Sequence, residues 1–182
     1  MSALSELTFR NLQSADEVRA AYPFEVAGYS EEEAASLESM LYRFTNAPHL
    51  FFGAFEPSGT VIGYITSTQA TSPLVTHDSM STHDPKGSTA CIHSVCVDPK
   101  WQRKGVATKL LELYPDTVRQ YNSSVEDTSQ KAKIARLAML AREDLVPFYQ
   151  QVGYTNLGQS SVVHGAEKWY DCIFDIQKRL IH

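Results

Sequence analysis

Leu37, Met40, Leu41 and Phe44 recur at i, i+3, i+4 and i+7, so the segment from Ser30 to about Thr45 is expected to form an amphipathic helix with one core face. Ser30-x-x-Glu33 supplies a capping box at its start, and Asn46-Ala47-Pro48 ends it. Ahead of it, Leu7–Leu12 alternates as a first strand and Ser14–Tyr22 reads as a helix. Two strand-like runs follow, Leu50–Phe55 and Val61–Thr66, separated by Glu56-Pro57-Ser58-Gly59-Thr60, the pattern of a β-hairpin. Ser67–Thr89 is rich in Ser, Thr, His, Asp and Pro without a sustained period. Long loops in compact domains are usually functional, and this one is read as a substrate-side loop.

Cys91–Val97 is a short β-prone run ended by Asp98-Pro99. Alternation puts Cys91, His93, Val95 and Val97 on one face and Ile92, Ser94 and Cys96 on the other, unless a bulge resets the register. Ala107, Leu110, Leu111 and Tyr114 repeat the helical spacing, and Pro115 is expected to kink or interrupt that helix. A polar linker, Asn122–Gln130, leads to a strand, Ile134–Ala141. Pro147–Val152 reads as a short helix with Gly153 just past its end. Tyr154–Leu157 and Trp169–Ile176 close the pattern as strands. Strands and helices mixed in this order imply an α/β sheet covered on both faces.

At 182 residues the chain is expected to be one domain, and 43% hydrophobic with 20% charged residues is enough to build a globular core. Sixteen Lys and Arg against 21 Asp and Glu give −5, the wrong sign for a nucleic-acid partner. That sign does not exclude a cationic small molecule. The apolar runs are far shorter than the roughly 18 residues of a membrane span, and MSALSELTFR lacks a basic region leading into an apolar stretch. An odd count of three cysteines suits a reducing compartment, so a cytoplasmic protein without a membrane partner is expected.

The chemistry concentrates where the Cys91–Val97 strand runs through Asp98-Pro99-Lys100-Trp101 into Gln102-Arg103-Lys104-Gly105-Val106-Ala107 and a helix. Gly105 and Ala107 let a ligand approach the backbone, and the free amides of a first helical turn point at an anion. Neither a P-loop nor a G-x-G-x-x-G fingerprint is present. Taken alone, Q-x-x-G-x-A also fits an ordinary helix start.

This run resembles the acetyl-coenzyme A motif Q/R-x-x-G-x-G/A of the Gcn5-related N-acetyltransferase (GNAT) superfamily. Leu145-Val146-Pro147-Phe148-Tyr149-Gln150-Gln151-Val152-Gly153-Tyr154 is similar to the L-V-P-F-Y-x-x-x-G-F segment of the serotonin (arylalkylamine) N-acetyltransferase family, in particular its fungal-type, non-vertebrate branch. Thr76 to Gly87 with Cys91-Ile92-His93-Ser94-Val95 is similar to its S-M-x-x-H-x-P-x-G…H-S-V block. The resemblance implies an α/β GNAT fold: a seven-stranded mixed sheet with helices on both faces, split between the fourth and fifth strands, Cys91–Val97 and Ile134–Ala141. The pantetheine arm of acetyl-CoA would pair with backbone at Val95 and Val97. Its pyrophosphate would sit after Gln102 on the amides of Arg103, Lys104, Gly105, Val106, Ala107 and Thr108. Backbone donors suffice for an anion, so −5 is no obstacle. The Arg103 and Lys104 side chains either meet phosphates or are simply solvated.

Acetyl transfer needs a neutral amine, whereas an alkylamine with a pKa of about 10 arrives as ammonium. His93 is the base the resemblance implies. From the residues alone it is also readable as a core histidine. Vertebrate members carry H-x-H here, and this chain has Cys91-x-His93. A thiol with a pKa of about 8.5 is a poor relay, so water or another side chain must serve. Alternation separates Cys96 from Cys91 and His93, and no metal is expected. Tyr149 matches the family's catalytic tyrosine, an acid for the departing thiolate. Its spacing with Leu145, Phe148 and Val152 also fits a core stripe. Tyr29 aligns with an aromatic that packs on the substrate ring, without the proline expected soon after it. Glu31, Glu32 and Glu33 read as helix-start charges. His77 and His83 match the family loop without a chemical role. The implied activity is direct acetyl transfer from acetyl-CoA to small primary amines such as serotonin, tryptamine or phenylethylamine, by a monomer. The alternatives are a polyamine or diamine acetyltransferase and a non-catalytic acyl-CoA-binding module.

Overall fold

Ser14 starts the first helix, its hydroxyl accepting from the Glu17 amide at 3.2 Å. A computed structural model describes residues 3–177. Its helices are α1 (Ala15–Gly28), α2 (Leu37–Asn46), α3 (His77–Ser81), α4 (Val106–Ser124) and α5 (Val146–Gln151). Its strands are β1 (Thr8–Asn11), β2 (Phe51–Phe55), β3 (Val61–Ala70), β4 (Thr89–Val97), β5 (Arg136–Arg142), β6 (Thr155–Gln159) and β7 (Trp169–Asp175). The strands form one mixed sheet of order β1-β2-β3-β4-β5-β7-β6. This is the expected seven-stranded α/β sheet.

The described residues fall into two compact units, with β3, β4 and α4 each contributing to both. The first holds the described residues through Ser67 together with Ser94–Tyr114. There β1 pairs antiparallel with β2, and β2 with the first half of β3. Its core gathers Leu12, Val18, Ala21, Met40, Phe51 and Tyr64.

The second unit holds Thr68–His93 and the described residues from Pro115 onward. In it β4 runs parallel to β5, with Thr89–Ile92 registered against Arg136–Met139. Both strands continue beyond that register, which is the split expected between strands four and five. β7 closes antiparallel on β5, and β6 on β7.

Four elements differ from the sequence expectation, each for a packing reason. α1 does not stop at Tyr22 but runs through Pro23 to Gly28, carrying Glu25 into the interior. Helix α2 begins at Leu37, not Ser30, because Ser36 is the cap, accepting from the Ser39 amide at 3.1 Å. The Ser30 carbonyl instead closes a turn by accepting from the Glu33 and Ala34 amides, so the three glutamates lie on a turn and not at a helix start. α4 continues past Pro115: Val106, Leu110, Leu111, Tyr114 and Val118 are fully or almost fully buried. At about 1.5–3 kcal/mol apiece they outweigh the roughly 3 kcal/mol an interior proline costs.

β3 is the fourth. Its second half, Thr66-Ser67-Thr68-Gln69, is polar yet wholly buried. Ser67 Oγ lies 2.7 Å from the Tyr114 hydroxyl, which donates to the Leu50 carbonyl at 2.9 Å. The Gln69 side-chain amide donates to the Gly87 carbonyl at 2.9 Å. Ser67, Thr68 and Gln69 are thus paired, as buried polar groups generally are. The expected loop is accordingly shorter and interrupted by α3.

Candidate active site

The turn from β4 into α4 is built by the backbone. Asp98 Oδ1 accepts from the Lys100 amide at 2.9 Å, closing a 3-10 turn over Pro99–Trp101. The Gln102 side chain donates back to the Val97 carbonyl at 3.2 Å. Arg103 then adopts φ 60° and Gly105 φ 85°, two left-handed residues within three positions. Alternation of ordinary and left-handed backbone turns successive amides toward one concavity, the geometry of an anion nest. Val106, Ala107 and Thr108 follow as the first turn of α4, whose amides have no carbonyl one turn earlier in the helix. Gln102, Arg103 and Lys104 are exposed, and Lys104 Nζ lies 5.1 Å above the Trp101 ring. The residues from Arg103 to Thr108 thus suit a diphosphate.

Upstream on β4, Val95 and Val97 are partly exposed while Ser94 and Cys96 are buried, the alternation the sequence predicts. The Val95 amide donates to the Tyr29 hydroxyl at 3.4 Å. Tyr29, the residue after α1, thereby contacts the backbone edge expected to receive pantetheine. Behind it sits Glu25, 1% exposed. Its Oε1 accepts from the Ala35 amide at 2.8 Å, and its Oε2 accepts from the Tyr64 hydroxyl and, at 3.5 Å, from the Cys96 thiol. Burial, then the neighbouring Glu25 charge, pushes the Cys96 thiol well up, so Cys96 is an uncharged donor and not a nucleophile. Burial lowers the pKa of the Arg43 guanidinium, and the nearby Glu25 charge opposes that shift. Glu25 was invisible to sequence reasoning because the expected helix ended at Tyr22, short of it.

His93 belongs to the second unit and is partly exposed, at the first β4 position beyond the parallel register with β5. Its Nε2 lies 2.7 Å from Thr68 Oγ1, and the same hydroxyl donates to the Ser79 carbonyl at 2.7 Å. Thr68 is fully buried and Ser79 is 3% exposed. Ser79 is fixed by a reciprocal cap with Thr76 at the start of α3. It also hydrogen-bonds the Cys91 thiol, which burial raises to about 11. Cys91 is therefore an uncharged, protonated thiol at physiological pH and a poor group to accept a proton from His93.

The loop around α3 is anchored on Gln69. Its amide donates to His83 Nδ1 at 3.0 Å and its carbonyl accepts from the Asp84 amide at 2.9 Å. Burial holds the His83 imidazole below its ordinary pKa, consistent with a ring nitrogen that accepts. His83 is thus a structural acceptor that ties the loop to β3. His77 is the exposed first residue of α3. A cleft of about 340 Å³ opens here, lined by Gln69, Thr76, Asp78, Ser79, Thr82 and Asp84 among others.

Tyr149 lies in α5, nearly buried, with ring centroids 5.3 Å from Phe148 and 6.1 Å from Tyr154. Leu145, predicted on the same stripe, is instead exposed. Among the described residues no group of three or more His, Cys, Asp or Glu is arranged to hold a metal ion. No helix among them is long and apolar enough to cross a membrane.

Sequence reasoning missed Thr68 and Ser79 because both lay in the stretch read as loop. The available signal was the run of β-branched residues through Val61-Ile62 and Ile65-Thr66, continuing at Thr68.

Residues 12–154 match a family model described as the acetyltransferase (GNAT) family. The serotonin N-acetyltransferase of Mesocricetus auratus is 25% identical over 130 residues, covering 71% of this chain and 58% of that protein. The chain therefore spans less than two thirds of the curated relative it matches. Among solved structures, the loading GNATL domain of CurA from Lyngbya majuscula superposes with TM-score 0.76 at 16% identity, covering 95% of this chain and 99% of that one. The GphF GNAT-like decarboxylase, solved in complex with isobutyryl-CoA, gives TM-score 0.73 at 17% identity, with 93% and 99% covered.

Proposed function

The chain belongs to the acetyltransferase (GNAT) family, and from that premise we propose that it transfers acetyl from acetyl-CoA directly to small primary amines of the arylalkylamine type. The observation that carries the reading is His93: a partly exposed imidazole on β4, past its pairing with β5, held at Nε2 by a buried hydroxyl. The similarity to a serotonin N-acetyltransferase supports the amine class.

Each residue has one task. Arg103 to Thr108 offer amides to the cofactor diphosphate, with Gln102 bracing the turn. Val95 and Val97 offer backbone to the pantetheine arm, for which the Val95 amide must leave Tyr29. Tyr29, so released, is free to pack on the amine's ring. Bound acetyl-CoA supplies the acyl group as a thioester. His93 removes a proton from the substrate ammonium, leaving the nitrogen lone pair to attack. As the C–N bond forms, the C–S bond breaks with its electron pair on sulfur, and nitrogen loses a second proton. Tyr149 gives its phenol proton to that sulfur and is reprotonated from solvent. One proton is released overall. In this reading the chain acts as one monomeric, cytoplasmic acetyltransferase domain that needs no metal.

Asp78 and Asp84 on the cleft beside Ser79 favour a second reading, a polyamine or diamine as acceptor. The test is thiol release from acetyl-CoA with tryptamine, serotonin, phenylethylamine and spermidine in parallel. Faster turnover of the three arylalkylamines is expected. Far faster acetylation of spermidine would overturn the substrate class. Acetyl-CoA binding without thiol release for any amine would overturn the enzymatic reading and support a binding module.

A further inference from the structure

The hydroxyl of Thr68 has one proton and two neighbours at 2.7 Å. The Ser79 carbonyl is only an acceptor. If Thr68 gave its proton to His93, two oxygens would face each other at hydrogen-bond distance with no hydrogen between them. If it gives its proton to Ser79, both contacts are satisfied, and the Thr68 oxygen must accept from His93 Nε2–H. Ser79 cannot yield, because its reciprocal cap with Thr76 fixes it at the start of α3. Thr68 cannot turn freely either, being fully buried in β3.

We propose that Thr68, backed by the Ser79 carbonyl, is a positioning residue that locks neutral His93 in the Nε2–H tautomer, so that Nδ1 is the atom that takes the substrate's proton. The assignment of a proton acceptor rests on the reading of His93 as base; the tautomer rests on hydrogen-bond geometry alone. The proton moves from the ammonium nitrogen to Nδ1, producing an imidazolium whose Nε2–H still donates to Thr68. The ring keeps its orientation in both protonation states, as a base that must turn over repeatedly requires. The arrangement also gives Thr68 a purpose that a residue of a solvated loop would lack, placing its hydroxyl against the base.

The test combines nitrogen NMR of ¹⁵N-histidine-labelled full-length protein with kinetics using acetyl-CoA and tryptamine. Wild-type neutral His93 is expected to carry its proton on Nε2. In Thr68→Val a methyl replaces the acceptor, so the neutral ring's proton shifts toward Nδ1 and kcat falls about 10²-fold, the lower end of what general-base catalysis supplies. The acetyl-CoA dissociation constant stays within about twofold, since the variant leaves the amide nest alone. The imidazolium also loses an acceptor, which moves the acid limb of kcat/KM to lower pH. Thr68→Ser, which restores the oxygen, returns the tautomer, the limb and most of kcat. A purely structural loss would lower activity without moving the limb.

A wild-type Nδ1–H tautomer, or a Thr68→Val enzyme with unchanged limb and kcat, overturns the proposal. His93→Ala separates the two failures. If that variant loses turnover while Thr68→Val does not, only the role of Thr68 falls. If His93→Ala turns over like wild type, the base assignment itself falls, whatever the tautomer.

Discussion

The turn entering α4 and the surroundings of His93 solve comparable problems by opposite means. At the turn, the groups proposed to bind are peptide amides, and their direction is set by two left-handed residues, Arg103 and Gly105. Most side chains there point into solvent. Around His93, the candidate group is one side chain, held by Thr68, which bonds Ser79, which is in turn capped by Thr76, each through a specific hydrogen bond. A site made of backbone tolerates many sequences but not a lost backbone conformation. A site made of side chains tolerates few substitutions, because each buried group left unpaired costs about 1–3 kcal/mol.

The sharpest way to break the side-chain region is mechanical. A Cβ on Gly87 would lie 2.1–2.6 Å from Ala70 backbone atoms, where neither chain can give. Gly87→Ala is expected to destabilise the protein by about 3 kcal/mol, read as a lower midpoint in chemical denaturation. Removing the proposed acid alone is the next largest effect. Tyr149→Phe keeps the packing against Phe148 and Tyr154 and is expected to lower kcat about 10²-fold with unchanged acetyl-CoA affinity.

At the backbone region, Gly105→Val forces a β-branched residue to φ 85°, with its Cβ 3.1 Å from Leu4 Cδ1. The conformation costs about 1–2 kcal/mol. Relaxation of the turn is expected to weaken acetyl-CoA binding about tenfold, measured by calorimetry. Conversely, Arg103→Gly, which suits φ 60°, should leave the nest intact and show whether the guanidinium adds anything beyond the amides.

The smallest effect is a pH dependence. His83 is depressed by burial while its Nδ1 accepts from Gln69, so the unfolded chain binds this proton more readily than the folded one. Its stabilising contribution is complete above the ordinary histidine value of about 6.5 and is lost as pH falls through the lower folded-state value. Thermal midpoints should fall on acidification from pH 7.5 to 5.5. His83→Asn, which can still accept from Gln69, should show a smaller fall. An equal fall in both proteins would place the titration elsewhere.

The same contrast explains what could be read from the sequence. The strand–turn–helix around Gln102–Ala107 was legible because Gly105 and the flanking apolar periodicity are local signals. His93 and Tyr149 were legible as candidates because their segments carry recognisable motifs. Thr68 and Ser79 were not, since their partners lie 25 and 11 residues away from Thr68 and nothing local marks a buried hydroxyl. The Ser30-x-x-Glu33 box misled for a related reason: buried Glu25 captures the Ala35 amide from ten residues away, and the helix starts only after Ser36. Pro115 read as a helix breaker, yet burial along α4 outweighed it. Long-range pairing of polar groups, more than any error of periodicity, separates the expected chain from the observed one.

The central claim is that binding and proton transfer are carried by separate groups. The most direct measurement is His93→Ala, with acetyl-CoA affinity taken by calorimetry and kcat taken by thiol release with tryptamine on the same preparation. The account predicts an affinity within about twofold of wild type and a kcat lowered by about 10²–10⁴-fold, the range for losing a general base. A kcat equal to that of wild type, or a loss wholly explained by weaker acetyl-CoA binding, would contradict it.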